Sequence, residues 1–279
     1  MTSVSPEAFE TWRTHIGRTE TRRQRLDLSA LRRFAAAIDA DLDVEHAWPA
    51  LGHWAFFNDF ASRAQTGVDG HPVRGGLLPS VTLPRRMFAS GDIRFPAPLT
   101  ADREADLTLT VADVRLRSGK SGDLAFVDVE RRIAQNERDC VVERQTFVYR
   151  DAGASMPAVV PTPDPTGETG DAEIWTPGAV DLFRFSAATG NAHRIHYDAD
   201  YTRSEEGYPD LVVHGPFTAA RLFARLSRQL GAPPMHFTFR AHAPLIVSQP
   251  IRLVRGDTEQ EACAVRCDGV TAMTAEGRP

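Results

Sequence analysis

Three segments in the first half of the chain alternate apolar and polar residues. They span 105–117, 122–133 and 140–149 and include the stretches LTLTVADVRL, LAFVDVERRI and VVERQTFVY. Such alternation is typical of strands that bury one face. The segment RSGKSG at 117–122 supplies a turn between the first two. The pattern therefore predicts neighbouring antiparallel strands.

Two segments instead show helical spacing. Residues 26–40 place apolar side chains three and four positions apart, and Ser29 or Asp27 could cap the start of this helix. Residues 216–231 form the stronger pattern, because Pro216 suits a first turn and Gly231 can end the helix. Two or more strands are expected after it, at 236–254 and roughly at 260–275.

Glycine and proline interrupt these elements in two places. Residues 67–91 are expected to form a long ordered loop or lid, and 151–170, DAGASMPAVVPTPDPTGETG, a linker. The linker divides the chain into an N-terminal half, 1–150, and a C-terminal half, 171–279. We expect the N-terminal half to shape the substrate pocket and the C-terminal half to contain the reactive residues.

A short internal repeat supports this division. IRFPAPL at 93–99 and FRAHAPL at 239–245 share the pattern hydrophobe-Arg-x-x-Ala-Pro-Leu. Each copy precedes a series of predicted strands and follows a helix or loop segment. We therefore predict an α+β protein made of two similar halves, each a helix with an antiparallel sheet.

The composition excludes several classes of protein. The 279 residues are 42% hydrophobic, and a net charge of −5 spread along the chain gives no nucleic-acid footprint. No apolar run approaches the roughly 20 residues that span a bilayer, and the N-terminus lacks the features of a secretory signal. A cytoplasmic location is expected. The three cysteines are interpreted as small buried hydrophobes rather than metal ligands.

The residues best suited to chemistry lie between 183 and 216. The order there is an apolar strand end, a glycine turn, His193 and His196, then His214 and Gly215 at the start of the predicted helix. Histidine transfers protons near neutral pH. A glycine at a helix start presents a backbone N–H and a positive dipole end to a developing oxyanion.

This stretch resembles the signature of the MaoC-type, (R)-specific enoyl-CoA hydratases, which have a hot-dog fold. Their pattern is Gly-Asp-x-Asn-Pro-hydrophobe-His, followed about twenty residues later by a His-Gly pair. The resemblance implies that His196 is the catalytic histidine and that Gly215 is the backbone oxyanion donor. Asn191 stands where the family has its catalytic aspartate, and His193 and Arg194 replace Asn-Pro.

A narrower resemblance rests on the departures from that signature. The motif has the form N-x-H-R-I-H-Y-D, and the stretch RGGLLPSVTLPRRMFASGDIRF lies upstream of it. This combination is similar to that of two-hot-dog hydratases of C4-dicarboxylyl-CoA thioesters, such as mesaconyl-C4-CoA and itaconyl-CoA. It is also similar to that of mitochondrial-type hydroxyacyl-thioester dehydratases. It implies a tandem hot-dog fold and reversible hydration of an unsaturated acyl-CoA. It implies no metal and no cofactor beyond the CoA of the substrate. Asn191 would orient the water that His196 deprotonates.

A dicarboxylyl substrate would need a cation for its free carboxylate, and guanidinium groups suit that role. The candidate substrate-binding residues are Arg194, Arg184, Arg85, Arg86 and His214, with Arg74 as a further candidate. His53, Trp54 and His71 could line the acyl pocket, although a polar loop and a core aromatic explain them more simply.

Three other functions remain open. A hot-dog thioesterase commonly has a carboxylate on its central helix, and 216–230 contains none. A non-catalytic acyl-thioester binding protein would explain Asn191 but not the retained His196 and Gly215. A dehydratase of 3-hydroxyacyl groups on CoA or acyl carrier protein would use the same chemistry. A homodimer is compatible with all of these readings.

Overall fold

A computed structural model describes residues 4–58, 60–119, 122–153, 155–162 and 171–279. The helices are α1 (Pro6–Arg13), α2 (Leu28–Ala37), α3 (Ala179–Thr189), α4 (Ala199–Ser204) and α5 (Gly215–Leu230). The strands are β1 (Thr19–Arg25), β2 (Arg85–Arg94), β3 (Glu104–Gly119), β4 (Gly122–Gln135), β5 (Arg138–Arg150), β6 (Glu173–Trp175), β7 (His236–Ala241), β8 (Ile251–Arg255), β9 (Glu261–Val265) and β10 (Thr271–Arg278).

The ten strands form one antiparallel sheet. Their order is β1-β3-β4-β5-β2-β7-β10-β9-β8-β6, so the first five and the last five strands follow the same order, one set reversed with respect to the other. The two sets join through β2 and β7, where Gly91 pairs with Phe239 and Ile93 with Phe237. The repeats at 93–99 and 239–245 begin on these two central strands, which confirms the prediction of two similar halves.

The strongest sequence patterns agree with the structure. β3, β4 and β5 contain the three alternating segments, and α5 contains the predicted helix, with Gly231 in the left-handed region at its end. Asp27 caps α2, since its carboxylate accepts a hydrogen bond from the N–H of Ala30 at 2.8 Å. Among the described residues, no helix is both long and apolar enough to cross a bilayer.

Two predicted elements were wrong. Residues 85–91 form part of β2 rather than a loop, because the dense run of glycines and prolines ends at Pro84 and the backbone beyond, Gly91 included, pairs with β5 and β7. The apolar strand end before Gly190 is helix α3. Its buried residues Leu182, Phe185 and Ser186 follow helical spacing, while Phe183 between them is exposed.

Parts of two predicted connections lie outside the described residues. Lys120 and Ser121 belong to the predicted turn at 117–122, and Ala154 and 163–170 to the predicted linker. The division of the chain at 151–170 stays a prediction. α3 contacts α2 through Phe185 and Phe34, whose ring centroids are 6.0 Å apart, so the helices of the two halves pack on each other.

Candidate active site

The motif that begins at Gly190 is a tight turn after α3. Gly190 ends the helix with φ +62°, a conformation that suits glycine. Asn191 donates its backbone N–H to the carbonyl of Ser186, and its side-chain Oδ1 accepts the N–H of His193 at 3.0 Å. Asn191 therefore shapes the turn that presents the histidines, as asparagine often does in such turns.

His196 lies at the end of a short 3-10 turn, Arg194–His196, and lines the main cavity. Its Nδ1 is 2.7 Å from the carbonyl oxygen of Val212. Because a carbonyl only accepts, Nδ1 carries the proton and Nε2 keeps a lone pair. Burial lowers the pKa of His196 to about 4, against the effect of the Val212 hydrogen bond. The ring is thus a neutral base at pH 7.

His214 packs against the ring of His196. The two rings stack with centroids 3.5 Å apart, and His214 Nε2 lies 2.8 Å from the hydroxyl oxygen of Ser186. His214 is fully buried and is absent from the cavity wall. The structure therefore places His214, which was predicted to bind substrate, as a packing partner of His196. The contact of Ser186 with His214 was not predicted, because no sequence pattern distinguishes this serine within the apolar segment that forms α3.

The start of α5 opens on the cavity beside His196. Gly215 and Pro216 both line the cavity, and His214 at the N-cap makes no side-chain capping hydrogen bond. The N–H groups in the first turn of a helix have no partner within the helix, and the helix dipole is positive there. This helix end can receive an anionic oxygen.

The cavity has a volume of about 1420 Å³ and is walled by both halves. Among the described residues of its wall, arginines far outnumber carboxylates, of which Asp128 is the one present. Asp128 is itself paired with Arg115 and Arg144, at 2.9 and 3.1 Å. The remaining arginines are Arg22, Arg86, Arg117, Arg131, Arg150 and Arg240. Such a wall favours a long ligand with several negative charges.

Arg86 is the one predicted substrate-binding arginine that the structure places in this wall. It lies on β2, and its guanidinium carbon lies over the ring of Phe147, 5.1 Å from the centroid, in a cation–π contact. Arg85, the residue before it, points away and pairs with Glu206 at 3.4 Å. The two neighbours differ because successive side chains of a strand face opposite sides of the sheet.

The other predicted arginines have structural partners outside the cavity. Arg194 pairs with Asp198 at 2.7 Å, and Arg184 donates to the carbonyl of Ala36 at 2.7 Å. Asp198 also accepts the N–H of Tyr201 at the start of α4.

Arg74 holds its own loop together. Its guanidinium donates to the carbonyls of Val81, Leu83 and Pro84.

The N-terminal half contributes a histidine that the sequence interpretation undervalued. His71 lines the cavity, and its ring centroid is 4.1 Å from that of His193. Asp69 Oδ2 is 3.1 Å from His71 Nδ1. The donor atoms of Asp69, His71 and His193 lie within 4.8 Å of one another, close enough to share a cation or a hydrogen-bond network.

Burial keeps these imidazoles neutral. It lowers the pKa of His193 to about 2, and burial together with the charge of Arg86 lowers the pKa of His71. Trp54 also lines the cavity. His53 instead lies in a buried cluster, where its Nε2 is 3.2 Å from Glu143 Oε2.

Known proteins are similar in sequence to this chain over most of its length. The family model for hydroxyacyl-thioester dehydratase type 2 matches residues 48–247. The mesaconyl-C(4)-CoA hydratase of Chloroflexus aurantiacus is 40% identical over 273 residues, which cover 95% of this chain and 96% of that protein. The mitochondrial hydroxyacyl-thioester dehydratase type 2 of Schizosaccharomyces pombe is 24% identical and is matched over 82% of its length by 80% of this chain.

Solved structures agree on the fold. A MaoC-like dehydratase from Phytophthora capsici matches with a TM-score of 0.68 at 12% identity, over 97% of each chain. A Mycobacterium tuberculosis protein described as having a double hotdog fold matches with a TM-score of 0.57 at 13% identity, over 94% of this chain and 95% of that chain. The chain therefore belongs to the hydroxyacyl-thioester dehydratase type 2 family, is a hydro-lyase of the hydratase and dehydratase type, and has the double hot-dog fold.

Proposed function

We propose that this protein reversibly hydrates the unsaturated CoA thioester of a short C4 or C5 dicarboxylic acid, of the itaconyl-CoA or mesaconyl-C4-CoA type, to a citramalyl-CoA type product. The observation that supports this most directly is that His196 and the N-terminus of α5 line the same cavity, whose wall is rich in arginine. The similarity to a mesaconyl-C(4)-CoA hydratase over nearly the whole chain supports the choice of acyl group.

His196 and Gly215 divide the chemistry. The Nε2 lone pair of His196 takes a proton from water while the oxygen attacks the β-carbon of the substrate. The electron pair of the C=C bond moves towards the thioester oxygen, which the Gly215 N–H stabilises as an oxyanion. His196 then returns its proton to the α-carbon, so that one water is added and the base is restored.

Arg86 is our candidate for the free carboxylate of the substrate. It extends from β2 into the cavity wall, where its guanidinium lies over the ring of Phe147. A planar guanidinium can pair with a carboxylate through two parallel hydrogen bonds. Arginines of the cavity wall outside the pairs with Asp128 and Glu143, such as Arg117 and Arg240, would meet the phosphates of CoA. The mechanism uses no cofactor beyond the CoA of the substrate.

A second candidate function is dehydration of a 3-hydroxyacyl thioester. It is favoured by the name of the matching family and by the curated yeast relatives, which are called hydroxyacyl-thioester dehydratases. The chemistry is the same reaction in the opposite direction. The two candidates differ in the acyl group and in the carrier, CoA or acyl carrier protein.

The test is a turnover assay with itaconyl-, mesaconyl-C4- and crotonyl-CoA and with 3-hydroxyacyl-CoA and 3-hydroxyacyl carrier protein, each product identified by mass. We expect the highest kcat/KM with a dicarboxylyl-CoA. Higher kcat/KM with a 3-hydroxyacyl substrate would establish the second candidate. Binding of every thioester without turnover would instead identify a non-catalytic binding protein.

Substitution of Arg86 tests the acyl assignment. Loss of a charge-assisted hydrogen bond corresponds to about a 10- to 100-fold fall in kcat/KM, and we expect this for Arg86→Ala with the dicarboxylyl substrate only. Crotonyl-CoA, which lacks the second carboxylate, should react as with the wild type. Arg184→Ala removes a cation outside the cavity and serves as the matched control.

A further inference from the structure

The loop of residues 67–71 is locked against the catalytic motif of the other half. Arg194 donates its backbone N–H to the carbonyl of Asp69 at 2.9 Å, and its guanidinium donates to the carbonyl of Val68 at 3.1 Å. Gly70, at φ +89°, is so close to the motif that a Cβ atom there would lie 1.8 Å from the carbonyl oxygen of Ala192. The position of this loop beside the site is therefore fixed by backbone contacts.

The same loop delivers a carboxylate–imidazole pair. Asp69 Oδ1 accepts the backbone N–H of His71 at 3.0 Å, and Oδ2 lies 3.1 Å from His71 Nδ1. Burial opposes ionisation of Asp69, but the hydrogen bonds that Asp69 accepts from the side chain and backbone N–H of His71 hold the pKa of this carboxyl below its usual range. The carboxylate is thus charged and accepts the Nδ1 proton, which leaves Nε2 of His71 as an acceptor.

Two features of the motif create a need for this pair. Asn191 cannot take a proton, and its side-chain oxygen already accepts the N–H of His193. His196, when protonated during hydration, becomes a buried cation whose own hydrogen-bond partner is the neutral carbonyl of Val212. A buried cation is costly without a compensating negative charge. Asp69 is the carboxylate grouped with the histidines here.

We propose that the Asp69–His71 pair of the N-terminal half replaces the acid that Asn191 removes from the motif: His71 Nε2 holds the attacking water, and Asp69 orients His71 and supplies the negative charge. This inference rests on the proposed hydration. Water donates one hydrogen to His71 and the other to His196, and its oxygen attacks the β-carbon. The proton taken by His196 goes to the α-carbon, so His71 ends the cycle unchanged.

The water-holding role is tested by two substitutions of His71. His71→Leu removes the acceptor, and we expect kcat to fall ~10²-fold with KM within about threefold of the wild type, since positioned acid–base groups contribute at least this much. His71→Gln keeps an acceptor oxygen and should recover at least about tenfold of that loss. A merely structural residue would lower melting temperature and raise KM without this split or rescue.

Asp69→Asn tests the charge. It removes the negative charge and leaves one acceptor oxygen where Asp69 has two, so one of the two hydrogen bonds that Asp69 accepts from His71 is lost as well. We expect kcat to fall ~10-fold or more by the same reasoning. Adding Asn191→Asp to this variant should restore part of kcat, because the carboxylate returns to the position it has in related motifs. The matched control is the exposed pair Asp43–His46, in which Asp43 Oδ2 lies 2.7 Å from His46 Nδ1. We expect Asp43→Asn and His46→Gln to leave kcat unchanged.

Several results would overturn the proposal. Wild-type kcat in both His71→Leu and Asp69→Asn would remove the pair from the reaction, as would equal activities of His71→Leu and His71→Gln. Loss of wild-type turnover in a chelator, restored by Zn²⁺, would make Asp69 and His71 metal ligands instead. Two parallel measurements separate this failure from failure of the proposed function. Retained activity of His196→Ala would show that His196 is not the base, and absence of wild-type turnover with every thioester would show that the proposed hydration is wrong.

Discussion

Helix α2 of the N-terminal half and helix α5 of the C-terminal half begin in opposite ways. At α2, the carboxylate of Asp27 occupies the helix start by accepting the N–H of Ala30. At α5, His214 makes no capping hydrogen bond, and Gly215 opens on the cavity. One half thus contributes a closed helix end and the other an open one. Only the open end can serve an external oxyanion.

The N-terminal half has a different task. It supplies β2 with Arg86, the long strands that form the arginine wall, and the loop that places His71 beside the motif. The two halves thus share one strand order but contribute different side chains to the cavity. The difference between the halves can be tested by substitutions on each side.

The largest effect is expected from His196→Ala in the C-terminal half. Removing the base should lower kcat on the order of 10³-fold, within the range for loss of acid–base catalysis. His46→Ala, on the exposed surface of the N-terminal half, should leave kcat unchanged. Steady-state kinetics and thermal melting measure both variants; a His196→Ala enzyme with near wild-type kcat would contradict the assignment of the base.

Gly70→Ala should have the next largest effect. The added Cβ would overlap the carbonyl of Ala192, and φ at Gly70 is unfavourable for alanine, so the loop must move away from the motif. We expect kcat to fall by about tenfold or more through misplacement of His71. Gly76→Ala, where nothing lies within 4 Å of the new Cβ, is the matched control. Equal kinetics of the two variants would show that the loop position is unimportant.

The kcat/KM of the enzyme should begin to fall only at a low pH. Burial lowers the pKa of His196 to about 4, so the ring is a neutral base above that value, and kcat/KM should fall as the pH drops through about 4 rather than 6.5. Stability should change over the same window. Between pH 6.5 and 4 the unfolded chain binds the proton more readily, so the free energy of unfolding should decrease as pH falls. An acid limb centred near 6.5 would contradict the burial of His196.

The smallest effect on catalysis is expected at the closed helix end. Asp27→Ala removes the cap of α2 and should lower the free energy of unfolding by about 1 kcal/mol. Its kcat should equal that of the wild type, because α2 does not line the cavity. Chemical denaturation and steady-state kinetics on one preparation measure both quantities. A selective fall in kcat would show that the two helix ends are not functionally distinct.

The sequence predicted the parts of the fold that depend on local pattern. β3, β4, β5 and α5 follow from residue spacing, and the motif from Gly190 to His196 follows from its resemblance to a known signature. α3 was misinterpreted because aromatic residues at Phe183 and Phe185 favour a strand locally, whereas packing of Phe185 against Phe34 of the other half favours the helix.

Only some residues of the candidate active site could be predicted from the sequence. His196, Asn191 and Gly215 are close in sequence to one another and were found together. Asp69 and His71 lie in a loop with no periodic pattern, and only the folded chain brings them to His193. The arginines of the wall were equally hidden, because whether a guanidinium faces a cavity or a neighbouring carbonyl is decided by the strand face on which it lies.

The pairing of β2 with β7 has a consequence for folding kinetics. These strands are far apart along the chain, so their pairing is a non-local contact whose loop-closure entropy makes it slow to form. His71 comes from one half and His196 from the other, so the candidate site is complete only when the two halves have joined. In refolding experiments, enzymatic activity should therefore return later than the secondary structure of either half.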